Sequence, residues 1–298
     1  MLALLHIAVE KTVVLKDFPS GSAMEFFEGT IYLIGDDARQ ILMLDKDYNI
    51  LGGINMFAGD EKRIAKKAKA DLESSAIIQY KNSSHLLVMG SASREQREKA
   101  FLFALPANNQ SSFISFDTSE FTGRLTKMGV AEVNIEGASA VHHQLLMSNR
   151  GNKTHPDNLL FVTTTNFFED QQNSLLRILN VVLPEQDFPI GISALSYVAA
   201  ADTLFFTASI ELTSNAYDDG GIGDSYLGCI RNISTQLHTQ NLIPDMLVNL
   251  SDIDDVFKGQ KIESICFEAA KTDHMIAHLV SDNDNGESTL FKVILSWQ

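Results

Sequence analysis

The chain is poor in cysteine: its 298 residues include two, Cys229 and Cys266. Two cysteines exclude the disulfide framework on which small secreted folds depend. Free cysteine packs as a small hydrophobic side chain, so we expect two buried thiols. A chain of this length can bury a sizeable apolar core and does not depend on cross-links.

Positive charge is also scarce. Lysine and arginine number 23 against 38 aspartates and glutamates, which gives a formal net charge of −15 and a pI near 4.9. Such a chain repels polyanions, and we therefore expect no nucleic-acid partner. A small anionic ligand would need a local basic patch or a bound metal ion.

Long apolar runs are missing, so we expect no helix that spans a membrane. The first residues, MLALLHIAVEKTVVLKDF, lack a basic start, and His6, Glu10 and Lys11 interrupt their apolar stretch. We interpret this segment as a strand of the fold rather than as a signal peptide. A cytoplasmic location is the default expectation, with a periplasmic or surface location left open.

Several catalytic motifs are absent as well. The sequence has no nucleophile elbow, no phosphate-binding P-loop and no dinucleotide-binding glycine pattern. It also has no C-x-x-C pair and no H-E-x-x-H, which are typical of zinc sites. Function therefore has to be sought in how residues converge in the fold.

What the chain does contain is a fivefold repeat. The copies align on one anchor residue each and recur every 53 to 72 residues. The anchors are Ser20, Glu73, Glu136, Gly191 and Glu263. Each copy has a small residue three positions after its anchor, then a second apolar run that ends in Gly, Ser or Thr, and then a polar turn. Short apolar or β-branched runs separated by turn residues predict strands.

Third and fourth runs follow in most copies, and four antiparallel strands every 50 to 70 residues are typical of a propeller blade. We therefore predict an all-β chain in which residues 1–298 form a single five-bladed β-propeller, with six blades as the alternative. The fifth copy runs out of chain before its outer strand. The N-terminal stretch LHIAVEKTVVL is expected to supply that strand and to close the ring. One short helix is expected at 119–128.

The predicted geometry places the start of each inner strand and the end of each second strand at the same face. Polar residues of the five copies should therefore converge there as a funnel. The residues expected at this face include Glu73, Glu136, Glu263, Asp36, Ser91, Arg94, Asn149, Arg150, Ser209, Glu211 and Asp282.

Three interpretations of the clustered carboxylates stay open. Glu73, Glu136, Asp36 and Asp282 are candidate oxygen ligands for Ca²⁺. The glutamates could instead form a buried ionic network with Arg94 and Arg150. In the third interpretation Glu136, Glu263 and Glu211 act as acid and base in hydrolysis, since crowded carboxylates raise one another's pKa.

Ligand binding at the funnel has its own candidates: Arg94, Arg150, Ser91, Asn149, Ser209 and Asp219. The two arginines suit an anion, because their planar donors pair with its oxygens. Asp219 lies in the long Asp- and Gly-rich segment 207–228, a candidate lid. The basic run EKRIAKKAK is either a solvated loop or a positive rim beside an anion site. The expected partner is a small anion, a short peptide or a sugar.

The copies NIEGASAV…LLMSNRG and KIESICFE…HLVSDND resemble the repeats of the esterase-like phytase propeller family. Nearly the whole chain is similar to a group of uncharacterised bacterial propeller proteins. This similarity rests on residues 71–73, 90–94, 134–138, 207–211 with 215–220, and 262–264 with 282–284. The resemblance implies a propeller and calcium-assisted hydrolysis of phosphate or carboxylic esters. The first and fourth copies lack the glutamate, which departs from that pattern.

Three functions follow from these observations. The first is a propeller that binds a ligand or a metal ion, Ca²⁺ being the candidate cofactor. The second is a calcium-assisted phosphoester or carboxylester hydrolase, and the third is a glycoside hydrolase with two carboxylates. The sequence leaves open whether the protein is an enzyme, and it predicts no oligomeric state.

Overall fold

The structure is a computed structural model that describes residues 5–212, 221–268, 274–283 and 285–297. A first strand, β1 (Leu5–Leu15), precedes the repeats. The repeats then form five mainly antiparallel sheets, in which the inner strand pairs with the second strand and the second with the third. This arrangement confirms the predicted all-β propeller, with five blades rather than six.

The blades contain the following strands. Blade 1 consists of β2 (Gly21–Phe27), β3 (Thr30–Gly35), β4 (Gln40–Asp45) and β5 (Ile50–Asn55). Blade 2 consists of β6 (Leu72–Tyr80), β7 (Ser83–Gly90), β8 (Lys99–Ala104) and β9 (Phe113–Asp117). Blade 3 begins with β10 (Ile135–Val141), β11 (Gln144–Asn149), β12 (Asn158–Thr164) and β13 (Leu176–Val181). Blade 4 contains β14 (Ile190–Val198), β15 (Thr203–Leu212), β16 (Gly221–Arg231) and β18 (Met246–Asn249), while β17 (Asn241–Leu242) joins the outer edge of blade 3. Blade 5 contains β19 (Ile262–Phe267), β20 (His274–Asp282) and β21 (Ser288–Trp297).

The N-terminal strand closes the ring as predicted. Strand β1 pairs antiparallel with β21 from Leu5, opposite Trp297, to Leu15, opposite Ser288. Blade 5 therefore takes its outer strand from the N-terminal end of the described chain and its other three from the C-terminal end. Pairing the two ends removes an exposed edge between the first and last blades.

Helix is sparse, as expected. The helix α1 (Ser119–Lys127) lies between blades 2 and 3. It buries Phe121 and Leu125, which are four residues apart and so lie on one face of the helix. Short 3₁₀ helices cover Glu95–Arg97, Phe167–Glu169, Ala199–Ala201, Ile233–Thr235, Leu250–Asp252 and Asp255–Phe257. No helix of the described ranges is long and apolar enough to cross a membrane.

The same irregularity recurs near the start of all five inner strands. The pairing between inner and second strand skips one residue in each blade, which is a β-bulge. The skipped residues are Ser22, Glu73, Glu136, Ser193 and Glu263. The structural equivalents of the three glutamates are therefore Ser22 and Ser193. The sequence alignment, which used Ser20 and Gly191, was two residues out of register in blades 1 and 4.

The bulge serines join neighbouring blades. Ser22 donates a hydrogen bond to the carbonyl oxygen of Leu72 at 2.5 Å, and Ser193 donates to that of Ile262 at 2.7 Å. Each acceptor directly precedes the bulge of the next blade. A serine at this position therefore binds the adjacent blade.

Apolar side chains fill the spaces between adjacent blades. One cluster contains Phe161 of blade 3 and Leu102 of blade 2, and another contains Phe291 of blade 5 and Phe205 of blade 4. Both cysteines are buried free thiols, as predicted. The core is thus divided among the blade interfaces.

Candidate functional site

All five inner strands contribute to a small cavity on the propeller axis. Glu25, Glu73 and Glu136 are among its lining residues, together with small ones such as Gly137 and Ala194. The volume of this cavity is about 10 Å³, which is about what one water molecule requires. The axis is therefore nearly filled, and a larger ligand has to bind at its end.

Charged side chains collect at the end of the axis where the inner strands begin. We call this group the mouth. Among the described residues it contains eight carboxyl groups: Asp36, Asp37, Asp71, Glu73, Glu136, Glu211, Glu263 and Asp282. It contains five cationic groups: Arg63, Lys69, Arg97, Arg150 and Lys261.

One half of the mouth is centred on Arg150, which follows β11. Its guanidinium donates to Oε2 of Glu136 at 2.8 Å and to the hydroxyl of Ser209 at 2.8 Å. It also lies 3.4 Å from a carboxylate oxygen of Glu211 and 3.7 Å from one of Glu263. Arg150 thus joins blades 3, 4 and 5 through three carboxylates.

Lys261 completes this half. Its ammonium lies 2.7 Å from Oε1 of Glu263 and 3.3 Å from Oε2 of Glu211. Asn134 donates from its side-chain amide to Glu136 at 2.7 Å. Of the predicted ionic network, the part that joins Glu136 and Glu263 to Arg150 is therefore present, with Lys261 as a second cation that the sequence did not single out.

The other half of the mouth is built on Asp71, which directly precedes β6. One of its carboxylate oxygens lies 2.8 Å from the ammonium of Lys69. The other accepts from Arg97 at 2.5 Å and from Ser91 at 2.6 Å. Lys69 also pairs with Asp36. One oxygen each of Asp36, Asp71 and Glu73 lies within 4.8 Å of the others, so these carboxylates form the most compact acidic group found among the described residues.

Two aspartates of the mouth have an unused buried oxygen. Asp37 accepts from Arg63 through Oδ2 at 2.5 Å, and Asp36 pairs with Lys69 through its own Oδ2. The Oδ1 atoms of both residues are buried and accept no hydrogen bond from the described residues. Buried carboxylate oxygens without a donor are uncommon and call for an explanation.

Burial makes three carboxyl groups of the mouth weaker acids: Asp36, Glu73 and Glu136. It raises the pKa of Asp36 to about 6, against the opposing effect of Lys69. It raises the pKa of Glu73 well above its usual range, and the nearby charges of Asp71, Asp36 and Glu136 raise it further. Burial also raises the pKa of Glu136, while the charge of Arg150 lowers it. In Glu73 and Glu136 alike, the low polarity of the buried site is the largest cause of the raised pKa.

The structure separates the predicted metal ligands. Asp36 and Glu73 meet, but their third partner is Asp71 rather than Glu136 or Asp282. Glu136 is bound by Arg150 and Asn134. Asp282 lies near enough to Arg63 for its charge to contribute to the raised pKa of that arginine. The Ca²⁺ assignment therefore stays a prediction, with a changed set of candidate ligands.

Most of the predicted ligand-binding residues lie inside the mouth or beside it. Ser91 donates to Asp71, and Ser209 accepts from Arg150. Asn149 is buried, where it accepts from the backbone N–H of Asn134 and donates to the carbonyl of Glu132. Arg94 is exposed. Asp219 lies outside the described residues.

Three of the residues that the sequence analysis missed share a spacing. Asp71, Asn134 and Lys261 each lie two positions before a bulged glutamate, directly before the first residue of the inner strand. Ser20 holds the same position in blade 1 and accepts from Arg63 at 3.3 Å. Gly191 holds it in blade 4. Aligning the copies on the bulge would have brought these residues together.

Comparison with known proteins gives a family. Residues 17–295 match the family of unknown function DUF6929. The chain belongs to this family. No curated protein matches the DUF6929 chain. The matches do not show the predicted relationship to esterase-like phytase propellers.

Solved structures are similar to this DUF6929 protein at low identity. A glutaminyl cyclase of Myxococcus xanthus is 12% identical, with a TM-score of 0.52 over 100% of both chains. A tail fiber of Staphylococcus aureus phage P68 is 8% identical, with a TM-score of 0.50 over 98% of this chain and 53% of that one. A Bacteroides vulgatus member of the duf4221 family is 11% identical, with a TM-score of 0.44 over 100% of both chains. At such identities the first two support the fold alone.

Proposed function

We propose that the mouth binds a small ligand that carries a positive charge. The single observation that carries the proposal is the pair of buried oxygens, Oδ1 of Asp36 and Oδ1 of Asp37, that accept no hydrogen bond from the described residues. A ligand with N–H donors or a cation would satisfy them. Buried acceptors left without such a partner cost free energy.

The excess of carboxyl groups in the mouth also favours a positively charged ligand. Its described carboxyl groups outnumber its cationic groups, and each of the cations already pairs with at least one carboxylate. Arg150 in particular is bound by three. This arrangement favours a cationic ligand over the small anion that the sequence analysis expected, because an anion would have to compete with those carboxylates.

Two sources of positive charge fit this chemistry, a divalent cation and an organic ammonium. Carboxylate oxygens are the ligands that Ca²⁺ prefers, and Asp36, Asp71 and Glu73 supply three of them. The ammonium of Lys69 already lies against Asp36 and Asp71. A metal ion would have to displace Lys69, whereas an organic ammonium could bind beside it.

The hydrolase and glycosidase alternatives receive less support. The comparisons do not show the phytase-like relationship, and Arg150, which was expected to clamp the anionic ester, is held inside the ionic network. Glu136 and Glu263, candidates for acid and base, are paired with cations at 2.8 and 2.7 Å. Binding without turnover is therefore the function that the geometry supports best.

The test is isothermal titration calorimetry of the purified protein with calcium chloride and, separately, with 1,4-diaminobutane. We expect saturable binding of one of them, with magnesium chloride and sodium chloride as controls at equal ionic strength. Asp36→Asn should abolish it. Asp255→Asn should not, because Asp255 is exposed and pairs with Lys258 rather than with a residue of the mouth.

The titrations with calcium chloride and with 1,4-diaminobutane distinguish a metal ion from an organic ammonium as the ligand. Binding of Ca²⁺ that tightens in Lys69→Met would identify a metal site that Lys69 occupies in the free protein. Binding of the diamine alone would identify an ammonium site. If neither probe binds saturably, or if Asp36→Asn binds as well as the unmodified protein, the proposal is wrong.

A further inference from the structure

A second concave site lies on the outer side of blades 1 and 2, away from the axis. Its volume is about 310 Å³, at the lower end of the range found for small-molecule pockets. We call it the side pocket. It lies between the chain that follows β5, strands β8 and β9, and the segment that leads into β6. None of its lining residues belongs to the mouth.

Three phenylalanines give the side pocket an aromatic wall. They are Phe57, Phe101 and Phe116. Phe101 is buried and meets Phe57 edge to face, with ring centroids 5.8 Å apart. Phe116 packs against Phe168 at 4.5 Å. Neighbouring rings therefore hold this wall in place, so the pocket is formed before any ligand arrives.

Opposite charges lie side by side at the rim. The ammonium of Lys99 is 3.1 Å from a carboxylate oxygen of Asp117, and the two side chains are 39% and 57% exposed. Such an exposed pair is weak, so a ligand with matching charges can replace it. Asp117 also accepts hydrogen bonds from Ser119, which together with Lys99 lower its pKa to about 2. Its carboxylate therefore stays charged at neutral pH.

Uncharged polar groups complete the rim. The side-chain amide of Gln96 and the hydroxyl of Ser115 line the pocket. Both residues are exposed, and neither side chain makes a hydrogen bond with another described residue. These groups remain able to bind a ligand, which makes the rim both charged and hydrogen-bonding.

We infer that the side pocket binds a free amino acid with an aromatic side chain. The ligand ring packs on the wall of Phe57, Phe101 and Phe116. Its carboxylate pairs with Lys99 and its ammonium with Asp117. An α-amino acid carries these two charges on neighbouring atoms beside one apolar group, which matches the adjacent charges and the aromatic wall of this pocket.

The side pocket and the mouth share a wall but not their residues. Ala68 and Ala70 line the pocket, while Lys69 and Asp71, which alternate with them, belong to the mouth. Likewise, Gln96 lines the pocket, while Arg97 belongs to the mouth. The inference is therefore independent of the proposed function, and variants of the two sites can be tested separately.

The test is calorimetric titration of the full chain with L-phenylalanine. Three comparison ligands each lack one feature: phenylacetate has no ammonium, phenethylamine has no carboxylate, and L-alanine has no ring. We expect saturable binding of L-phenylalanine, with each comparison ligand weaker by about tenfold or more. Lys99→Gln and Asp117→Asn should each weaken it by a similar factor.

Ala68→Trp is the decisive variant, because the new side chain fills the pocket from an exposed position. It should abolish binding while leaving the circular dichroism spectrum and the thermal midpoint unchanged. Lys127→Gln, at an exposed lysine in α1, and Asp36→Asn in the mouth should bind normally. The inference is overturned if L-phenylalanine does not bind saturably, or if Ala68→Trp binds it as well as the unmodified protein.

Discussion

The side chain of Arg150 in blade 3 passes directly over Gly191 in blade 4. A Cβ atom on Gly191 would lie 2.6 Å from Cγ of Arg150 and 2.7 Å from its Nε. The missing side chain in blade 4 is thus what lets the guanidinium reach Ser209 and the carboxylates beyond it. A residue that has no functional group of its own thereby shapes the mouth.

Replacing Arg150 with methionine tests how far the mouth depends on that guanidinium. The variant leaves Glu136, Glu211 and Glu263 with Lys261 as their remaining described cation. Removing one partner of a buried ion pair typically costs about 3 to 5 kcal/mol, because the other charge stays buried without compensation. We expect a loss of this size in urea unfolding.

The matched control is Arg94→Met, since Arg94 is exposed. We expect it to change stability by less than about 0.5 kcal/mol. Adding Glu136→Gln to Arg150→Met should restore part of the loss, because it removes one of the uncompensated carboxylates. An Arg150→Met protein as stable as the original would show that the network contributes nothing to folding.

The sequence predicted the blades well because strand periodicity and turn residues are local signals. It placed Glu73, Glu136 and Glu263 correctly at one end of the axis. It could not show the bulge, since one skipped pairing in a strand leaves no local mark in the residue pattern. Ser22 and Ser193 were missed for that reason, although they occupy the glutamate position.

The cations of the mouth were harder to predict. Lys69 ends the run EKRIAKKAK, and a cluster of lysines in a loop suggests a solvated surface. The structure buries Lys69 against Asp36 and Asp71 while leaving Lys67 exposed. Which lysine of such a run turns inward depends on the path of the loop over the neighbouring blade. That path is set by tertiary contacts and not by composition.

Glu25 should make the protein less stable as pH rises. This residue of blade 1 lines the axial cavity. Burial raises the pKa of its carboxyl group from 4.5 to about 8, and a hydrogen bond from Ser75 opposes this rise. Between these two pH values the folded state keeps a proton that the unfolded chain releases, so stability falls with increasing pH. At about 1.4 kcal/mol per pKa unit, the loss attributable to Glu25 is up to roughly 4 to 5 kcal/mol.

Glu25→Gln should therefore flatten the pH dependence of the unfolding free energy across that interval. Chemical unfolding at a series of pH values measures it. The control is Glu185→Gln, because Glu185 is exposed. Parallel curves for Glu25→Gln and the original protein would contradict the assignment. Some slope will remain in the variant, because the pKa values of Asp36, Glu73 and Glu136 are also raised.

Gly137 allows blades 3 and 4 to approach closely. A Cβ atom there would lie 2.7 Å from the backbone Cα of Ala194 and 2.7 Å from the backbone nitrogen of Leu195. Backbone atoms cannot move aside cheaply, so Gly137→Ala should destabilise the protein by about 1 to 3 kcal/mol.

Gly123→Ala is the opposite case. Nothing lies within 4 Å of its added Cβ in α1, and it should stabilise by about 0.5 to 1 kcal/mol. Thermal unfolding of both variants tests this contrast. Equal changes in stability for Gly137→Ala and Gly123→Ala would contradict it.

Strand β1 should be essential to the closure of the ring. Ile7 lies opposite Leu295 and is 5% exposed in the core between blades 4 and 5. Ile7→Ala should cost about 2 to 4 kcal/mol, since it leaves a cavity where the two ends of the chain meet. Val14, in the same strand, is 46% exposed, and Val14→Ala should cost less than about 1 kcal/mol. Urea unfolding of the two variants provides the comparison. If both lose the same stability, β1 contributes its hydrogen bonds to blade 5 but not its core side chains.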